Sequence, residues 1–170
     1  MSASSEHHRG VARAGGPVRV AIVTASDTRT PETDTGGDQA HERIMAAGHE
    51  VVHREIVRDD PGLIGALLDR LASTDAQIVL ITGGTGIAPR DTTYDAVASR
   101  LERTLPGFGE LFRMLSFEEV GAAAMLSRAV AGVYCGRVVI SMPGSPDAVR
   151  LAMDRLIVPE LAHLAWEVAR

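Results

Sequence analysis

A glycine-rich segment, Gly83-Gly84-Thr85-Gly86, directly follows the most apolar run of the chain, Gln77–Thr82. Glycine permits positive φ and a close approach of the backbone to a ligand, and successive backbone N–H groups in such a loop can bind an anion. A tight structural turn gives the same pattern, so the loop alone is weak evidence for function. The segment Arg90-Asp91-Thr92-Thr93 follows closely and favours anion binding, although Asp91 or Thr92 can also simply cap a helix.

Two acidic residues, Asp59-Asp60, stand before Pro61 at the end of another apolar run. They can form an N-cap cluster that complements a helix dipole. Alternatively, Asp59 reaches the same edge of a sheet as Asp91. Two carboxylates beside a phosphate suit Mg²⁺, which takes one or two carboxylates together with substrate phosphates. The second alternative predicts a magnesium site at Asp59 and Asp91.

A second candidate anion site lies at Pro143-Gly144-Ser145, which ends a strand and opens a helix. Simple helix capping explains this pattern, and so does an anion-binding helix N-terminus that faces the first loop. Ser127-Arg128 can add a hydroxyl and a guanidinium. The stretch from Ser26-Asp27 to Gly37 lacks apolar periodicity and predicts a loop of about a dozen residues, a length typical of functional loops.

The basic residues restrict the chemistry further. All 17 are arginines and the chain has no lysine, which excludes a P-loop lysine, a Schiff-base lysine and a lysine general base. Phosphate binding must then use arginine, backbone N–H groups or a metal. The net charge of −5, the 4% aromatic content and the lack of a basic run argue against a nucleic-acid partner.

Length and composition predict a single domain over residues 17–170, preceded by a disordered arm over residues 1–16. Neither a signal-peptide core nor an apolar run long enough for a membrane span is present. The one cysteine, Cys135, cannot form an internal disulfide, and we expect it to be a small semi-buried residue rather than a nucleophile. These features predict a cytoplasmic protein without a membrane partner.

The chemistry-bearing loops all leave predicted strands. Strand and helix patterns alternate, which predicts βαβ units and a parallel sheet with helices on both faces. Ligands of such sheets bind beyond the carboxyl ends of the strands. The predicted strands are 18–25, 50–57, 77–82 and 137–142; the predicted helices are 38–47, 61–71, 92–101, 110–117, 122–131 and 148–170, the last interrupted near Pro159.

Several segments in this order resemble the MoaB/MogA family of molybdenum cofactor biosynthesis proteins. The resemblance runs from Val18 to Leu164, and the stretch Phe112–Glu119 favours the MoaB branch. The segments that carry it are Val20–Asp27, Asp34–Gly37, Thr82–Gly86 with Arg90-Asp91, Pro106–Gly121, Ser127–Ala129 and Met142–Ser145.

The resemblance implies a three-layer α/β/α fold with a mostly parallel sheet, assembled as a homotrimer or homohexamer. It also implies adenylylation of molybdopterin by Mg-ATP to adenylyl-molybdopterin and pyrophosphate, with hand-over of the product to a molybdenum insertase. The family's two functional aspartates fall on Asp59 and Asp91, which are assigned to catalysis and to Mg²⁺. The predicted substrate-binding residues are Ser26, Asp27, Gly83, Gly84, Thr85, Gly86, Ser127, Arg128, Pro143, Gly144 and Ser145.

One departure and two alternatives accompany the resemblance. The family's usual Asp-Thr-Ser-Gly is Asp34-Thr35-Gly36-Gly37 here, which weakens ligand binding if the missing hydroxyl contacts the ligand. A non-catalytic carrier or scaffold that binds molybdopterin or its precursor is one alternative. The other is a pyrophosphatase like the related CinA domain, whose Gly-Gly-Leu-Gly loop and paired aspartates differ from Thr85 and Arg90-Asp91 here.

Overall fold

The computed structural model describes residues 10–12 and 15–170. The disordered arm predicted over residues 1–16 lies largely outside these ranges. Of its described residues, 10–12 are helical and Ala12 is buried. None of the helices in the described ranges is long and apolar enough to cross a lipid bilayer.

A six-stranded sheet forms the centre of the fold, with the order β2-β1-β3-β6-β5-β4. β1 pairs in parallel with β2 and β3, and β3 pairs in parallel with β6. β5 runs antiparallel to both β6 and β4. The strands are β1 (Arg19–Ala25), β2 (Glu50–Val57), β3 (Ile78–Thr82), β4 (Arg103–Thr104), β5 (Val130–Tyr134) and β6 (Arg137–Met142).

Helices cover both faces of this sheet. Successive strand residues point to opposite faces, so Ile22 of β1 packs into one core with Ile44 and Phe112, whereas Val23 packs into the other with Leu67. The three-layer α/β/α prediction is therefore confirmed. The helices are α1 (Thr35–Ala46), α2 (Pro61–Leu71), α3 (Thr93–Ala98), α4 (Pro106–Val120), α5 (Pro146–Ala152) and α6 (Val158–Ala169).

The helix predicted over 122–131 is wrong. Gly121–Leu126 form a 3₁₀ helix, and the chain then enters β5. β5 exists because it pairs with β6 through a turn at Cys135 and Gly136, both of which have positive φ (47° and 70°). Two positive φ angles are typical of the tight turns that join antiparallel strands. Cys135 is accordingly exposed in this turn, not semi-buried as expected.

Other helix boundaries differ from the sequence prediction at their ends. α1 begins earlier, at Thr35, because Asp34 caps it, which shortens the preceding loop to residues 26–34. α4 begins at Pro106, where a missing N–H costs nothing in the first helical turn. α3 ends at Ala98, three residues before its predicted end. The predicted interruption near Pro159 is confirmed as a π-helical segment, Met153–Ile157.

Candidate functional site

Three backbone segments meet closely at the carboxyl edge of the sheet. Gly83, which follows β3, has φ 100°, and a Cβ there would overlap the carbonyl oxygen of Ala25 at the end of β1. A Cβ on Gly144, after β6, would lie 3.1 Å from Cα of Gly83. A Cβ on Gly36, in the first turn of α1, would lie 2.9 Å from the carbonyl oxygen of Gly144. Only residues without side chains permit this packing.

A buried carboxylate holds α1 in this position. Asp34 accepts the N–H of Gly37 at 3.1 Å as the N-cap of α1, and it accepts the hydroxyl of Thr24 on β1 at 2.9 Å. Arg54 of β2 donates to the same carboxylate at 3.0 Å and pairs with Asp38 at 2.7 Å. Burial acts to lower the pKa of Arg54, but the hydrogen bonds to the two aspartates outweigh it and the net pKa is raised. The first turn of α1 is thus fixed to β1 and β2.

Gly84 lies at the centre of the site. It has φ 61°, and a Cβ there would lie 2.5 Å from Oδ2 of Asp59 and would also overlap the hydroxyl of Thr93. The carbonyl of Gly84 accepts the N–H of Tyr94 at 3.2 Å. The glycine loop therefore packs directly against both the loop after β2 and the start of α3.

Asp59 and Asp60 have separate roles. Asp60 caps α2 by accepting the N–H of Leu63 at 2.9 Å, as the capping alternative predicted for this pair. Asp59 turns away from α2, and its Oδ1 accepts three hydrogen bonds: the N–H and hydroxyl of Thr92 at 3.1 and 2.9 Å, and the hydroxyl of Thr93 at 2.9 Å. These bonds orient the carboxylate, so that Oδ2 is directed to the side of Gly84.

Asp91 packs against the last glycine of the loop. Its Oδ2 accepts the N–H of Ala88 at 3.0 Å and lies 2.5 Å from the position of a Cβ on Gly86. Arg128 supports this segment: it donates to the carbonyl of Asp91 at 2.8 Å and to the carbonyl of Thr85 at 3.3 Å. Arg128 also pairs with Asp95 at 2.9 Å and lies over the Tyr94 ring.

Two cavities open at this edge and meet at Gly84 and Asp91, which line both of them. The smaller, of about 170 Å³, is polar and is lined by Ala25, Ser26, Asp27, Thr28, Asp59, Gly84, Arg90 and Asp91. The larger, of about 470 Å³, has one apolar wall from α4, the 3₁₀ helix and α5. Its lining residues include Gly84, Thr85, Gly86, Asp91, Phe112, Ser116, Glu119, Leu126, Ser127, Pro143, Gly144, Ser145, Asp147 and Leu151.

The structure brings nearly all predicted site residues to these cavities. Ser26, Asp27 and Asp59 line the smaller one, whereas Ser127 and the residues 143–145 line the larger one. The buried Oγ of Ser127 has no hydrogen-bond partner among the described residues. The side chain of Ser145 forms no capping bond with α5. The Ser145 hydroxyl is thus not used to cap its helix, and the Ser127 hydroxyl is buried beside the larger cavity without a partner in the part of the chain that the structure describes.

Gly83 and Arg128 are placed differently from the other predicted residues. Gly83 packs under the loop against Ala25 and Gly144, and it lines neither cavity. Arg128 also lines neither, and its guanidinium contacts the backbone of the glycine loop. Their assignment to substrate binding stays a prediction. The contacts that both residues form in the structure are with other residues of the chain.

Some lining residues were not assigned to the site from the sequence. Arg90 has no assigned role in the sequence beyond its place next to Asp91, yet it lines the smaller cavity. Glu119 and the apolar residues Phe112 and Leu126 line the larger one. In the sequence, Phe112 and Leu126 resemble ordinary apolar residues of a helix and Glu119 resembles an ordinary surface residue, so only the folded arrangement shows their position.

A magnesium site of the predicted kind is compatible with these residues. No group of three or more histidine, cysteine or acidic side chains able to hold a metal occurs in residues 10–12 and 15–170. Mg²⁺ requires only one or two carboxylates when phosphates and water complete its coordination. Asp59 and Asp91 line the same small cavity, so this donor set fits Mg²⁺ when it is bound together with a phosphate ligand.

Comparison with known proteins agrees with this architecture. Residues 21–163 match the family described as "Probable molybdopterin binding domain". The chain belongs to the MoaB/MogA family. Molybdenum cofactor biosynthesis protein B of Bacillus cereus is 52% identical to it over 155 residues, which cover 90% of this chain and 92% of that protein. The protein of the same name from Halalkalibacterium halodurans is 49% identical over 169 residues, which cover 98% of each chain.

Solved structures of MoaB/MogA proteins share the fold. A crystal structure of a molybdenum cofactor biosynthesis protein B has a TM-score of 0.88 and 51% identity, covering 91% of this chain and 97% of the other. The MoaB of Thermus thermophilus has a TM-score of 0.79 and 34% identity, covering 89% and 96%. The MoaB/MogA resemblance inferred from the motifs is therefore confirmed.

Proposed function

We propose that this protein acts in molybdenum cofactor biosynthesis by adenylylating molybdopterin with Mg-ATP. The observation that carries the proposal is the meeting of two unlike cavities at Gly84 and Asp91. One is small and polar and contains both aspartates, and the other is larger and partly apolar. Such a pair suits ligands that carry ring systems together with phosphates, because the larger cavity offers apolar surface and the smaller one offers polar groups.

The chemistry needs no strong general base. An oxygen of the terminal phosphate of molybdopterin attacks the α-phosphorus of ATP, the bond from that phosphorus to the bridging oxygen breaks, and pyrophosphate leaves with the electron pair. A phosphate monoester has its second pKa near 6 and is already largely ionised at neutral pH. The main barrier is the repulsion between two anions and the charge that develops on the leaving group.

Residues near the junction of the two cavities lower this barrier. Backbone N–H groups of the Gly84–Gly86 loop and of residues 144–145 position the phosphates. Asp59 and Asp91 would hold Mg²⁺, which supplies charge neutralisation when it is bound. The hydrogen bonds from Thr92 and Thr93 keep Asp59 oriented towards the same junction.

The test is a measurement of pyrophosphate release from Mg-ATP in the presence of molybdopterin. We expect Asp91→Asn to lower the rate by about 10²–10³-fold, the effect of removing one electrostatic stabiliser. Asp75→Asn is the matched control, because Asp75 is exposed and pairs with Arg19 away from both cavities. An unchanged rate in Asp91→Asn would contradict the assignment. Tight binding of molybdopterin by the wild type without pyrophosphate release would favour the carrier alternative.

We also propose a homotrimeric or homohexameric assembly. The support is an apolar stripe on the outer side of α4, where Leu111, Met114 and Phe117 are 47%, 55% and 62% exposed at intervals of three residues. Exposed apolar surface of this kind is typical of protein interfaces. Light scattering that gives the mass of a monomer would refute this assembly. Hand-over to a molybdenum insertase and a cytoplasmic location stay predictions from the sequence.

A further inference from the structure

The charged residues that line the two cavities are almost all acidic. Asp91, Glu119 and Asp147 line the larger cavity, and Asp27 and Asp59 join Asp91 in the smaller one. Arg90 is the one basic residue among the described residues that line either cavity, and it belongs to the smaller. A polyanionic ligand therefore meets a fixed positive charge only at that end of the site.

Arg90 is available for such a ligand. Its side chain is exposed, and within the described residues its guanidinium takes part in no ion pair or hydrogen bond. The arginines beside the larger cavity are engaged: Arg150 donates to both carboxylate oxygens of Glu119 at 3.1 Å, and Arg128 pairs with Asp95. Binding a phosphate at Arg90 thus requires no existing interaction to be broken.

The linings of the two cavities separate the parts of a nucleotide. The smaller cavity has hydroxyls and charges from Ser26, Thr28 and Arg90, and it offers little apolar surface to a ring. The larger cavity offers Phe112, Leu126 and Leu151. Ring systems bind to apolar surface and phosphates to guanidinium groups and N–H donors. The phosphate-rich end of the nucleotide consequently belongs in the smaller cavity.

We propose that Arg90 binds the β- and γ-phosphates of ATP in the smaller cavity and retains contact with them as they leave as pyrophosphate. This inference rests on the proposed function and extends it by assigning a binding residue for the leaving group. The α-phosphorus then lies at the junction formed by Gly84 and Asp91. Because the chain has no lysine, the planar guanidinium, which can bind two phosphate oxygens at once, takes the role that a lysine has in many ATP sites.

The test compares Arg90→Gln with Arg90→Lys and with the control Arg103→Gln. Arg103 is also exposed, and it lies on β4, outside both cavities. Calorimetry with Mg²⁺ present measures the binding of pyrophosphate, ATP and AMP. We expect Arg90→Gln to weaken pyrophosphate and ATP binding by about 10- to 100-fold, the effect of losing one or two hydrogen bonds to a charged group. We expect unchanged AMP binding, partial recovery in Arg90→Lys, and wild-type affinities in the control.

The outcomes separate this inference from the proposed function. If Arg90→Gln binds pyrophosphate and ATP as tightly as the wild type, or if AMP binding falls equally, the assignment of Arg90 is wrong while adenylylation can still hold. If pyrophosphate and ATP bind through Arg90 but no transfer to molybdopterin occurs, the proposed function is wrong and the assignment of Arg90 stands. If the wild type binds neither ATP nor pyrophosphate, both are overturned.

Discussion

Thr92 donates two hydrogen bonds to a single oxygen of Asp59, one from its backbone N–H at 3.1 Å and one from its hydroxyl at 2.9 Å. Asp59 follows β2 and Thr92 precedes α3, so the contact joins two loops that are far apart in the chain. It gives Asp59 a structural role through Oδ1 and leaves Oδ2, beside Gly84, for a ligand or metal. The two roles can be separated by substitution.

Asp59→Asn keeps an oxygen acceptor for Thr92 and Thr93 but removes the negative charge. We expect the fold to be retained and the rate of adenylyl transfer to fall by about 10²–10³-fold. Asp59→Ala removes the acceptor as well, and we expect an additional loss of about 1–3 kcal/mol in the free energy of unfolding, because the donors of Thr92 and Thr93 lose their partner. Urea unfolding and pyrophosphate release measure the two effects. Wild-type activity in Asp59→Asn would show that this residue is only an anchor.

Gly36 stands where the family resemblance implies a serine. A Cβ there would lie 2.9 Å from the carbonyl oxygen of Gly144, and Gly36 lines neither cavity. We therefore expect Gly36→Ser to lower the free energy of unfolding by about 1–3 kcal/mol through overpacking, without strengthening ATP binding. Gly107→Ser is the control, because a Cβ at Gly107 has no neighbour within 4 Å. Tighter ATP binding in Gly36→Ser at unchanged stability would refute this expectation.

His49 gives the stability a dependence on pH. Its Nδ1 accepts the N–H of Val18 at 3.1 Å, and burial lowers its pKa from the usual 6.5. Because the pKa of His49 is lower in the folded protein, the unfolded chain is protonated at a higher pH than the folded chain. The contribution of His49 to the free energy of unfolding is therefore present above about pH 6.5 and is lost as the pH falls through the lowered pKa.

We expect the free energy of unfolding of the wild type to decrease on going from about pH 7.5 to pH 5 by more than that of His49→Asn. The asparagine variant keeps an acceptor for Val18 but does not titrate. Urea unfolding at several pH values measures the difference. Identical pH profiles for the two proteins would contradict the contribution of His49.

The parallel part of the sheet could be predicted from the sequence, because β1, β2, β3 and β6 are apolar or β-branched runs that end in turn residues. β5 could not. Its residues follow an alanine-rich stretch that has high helix propensity, and its strand conformation depends on pairing with β6. α4 begins four residues before the predicted start at 110, because a Pro-Gly pair is typical of a turn in a sequence, whereas Pro106 occupies the first helical turn here.

Site residues could be predicted where residue types suited to phosphate or metal binding come soon after a predicted strand. The glycine loop, Asp59 and Asp91 could be found because each directly follows or closely follows a strand that ends at the same edge. The contact of Arg128 with the carbonyl of Asp91 spans 37 residues, and no local pattern indicates it. The apolar wall of the larger cavity depends on the packing of α4 and the 3₁₀ helix, which only the folded chain defines.

The close approach of Gly83, Gly144 and Gly36 has a consequence for how the protein can diverge. These segments pack main chain against main chain, so a side chain added at one of the glycines damages packing before it alters preference for a substrate. Leu126, which is 52% exposed on the wall of the larger cavity, has no such restriction. Adaptation to a different ring system would therefore accumulate at the exposed positions of that wall, while the glycine segments stay constant.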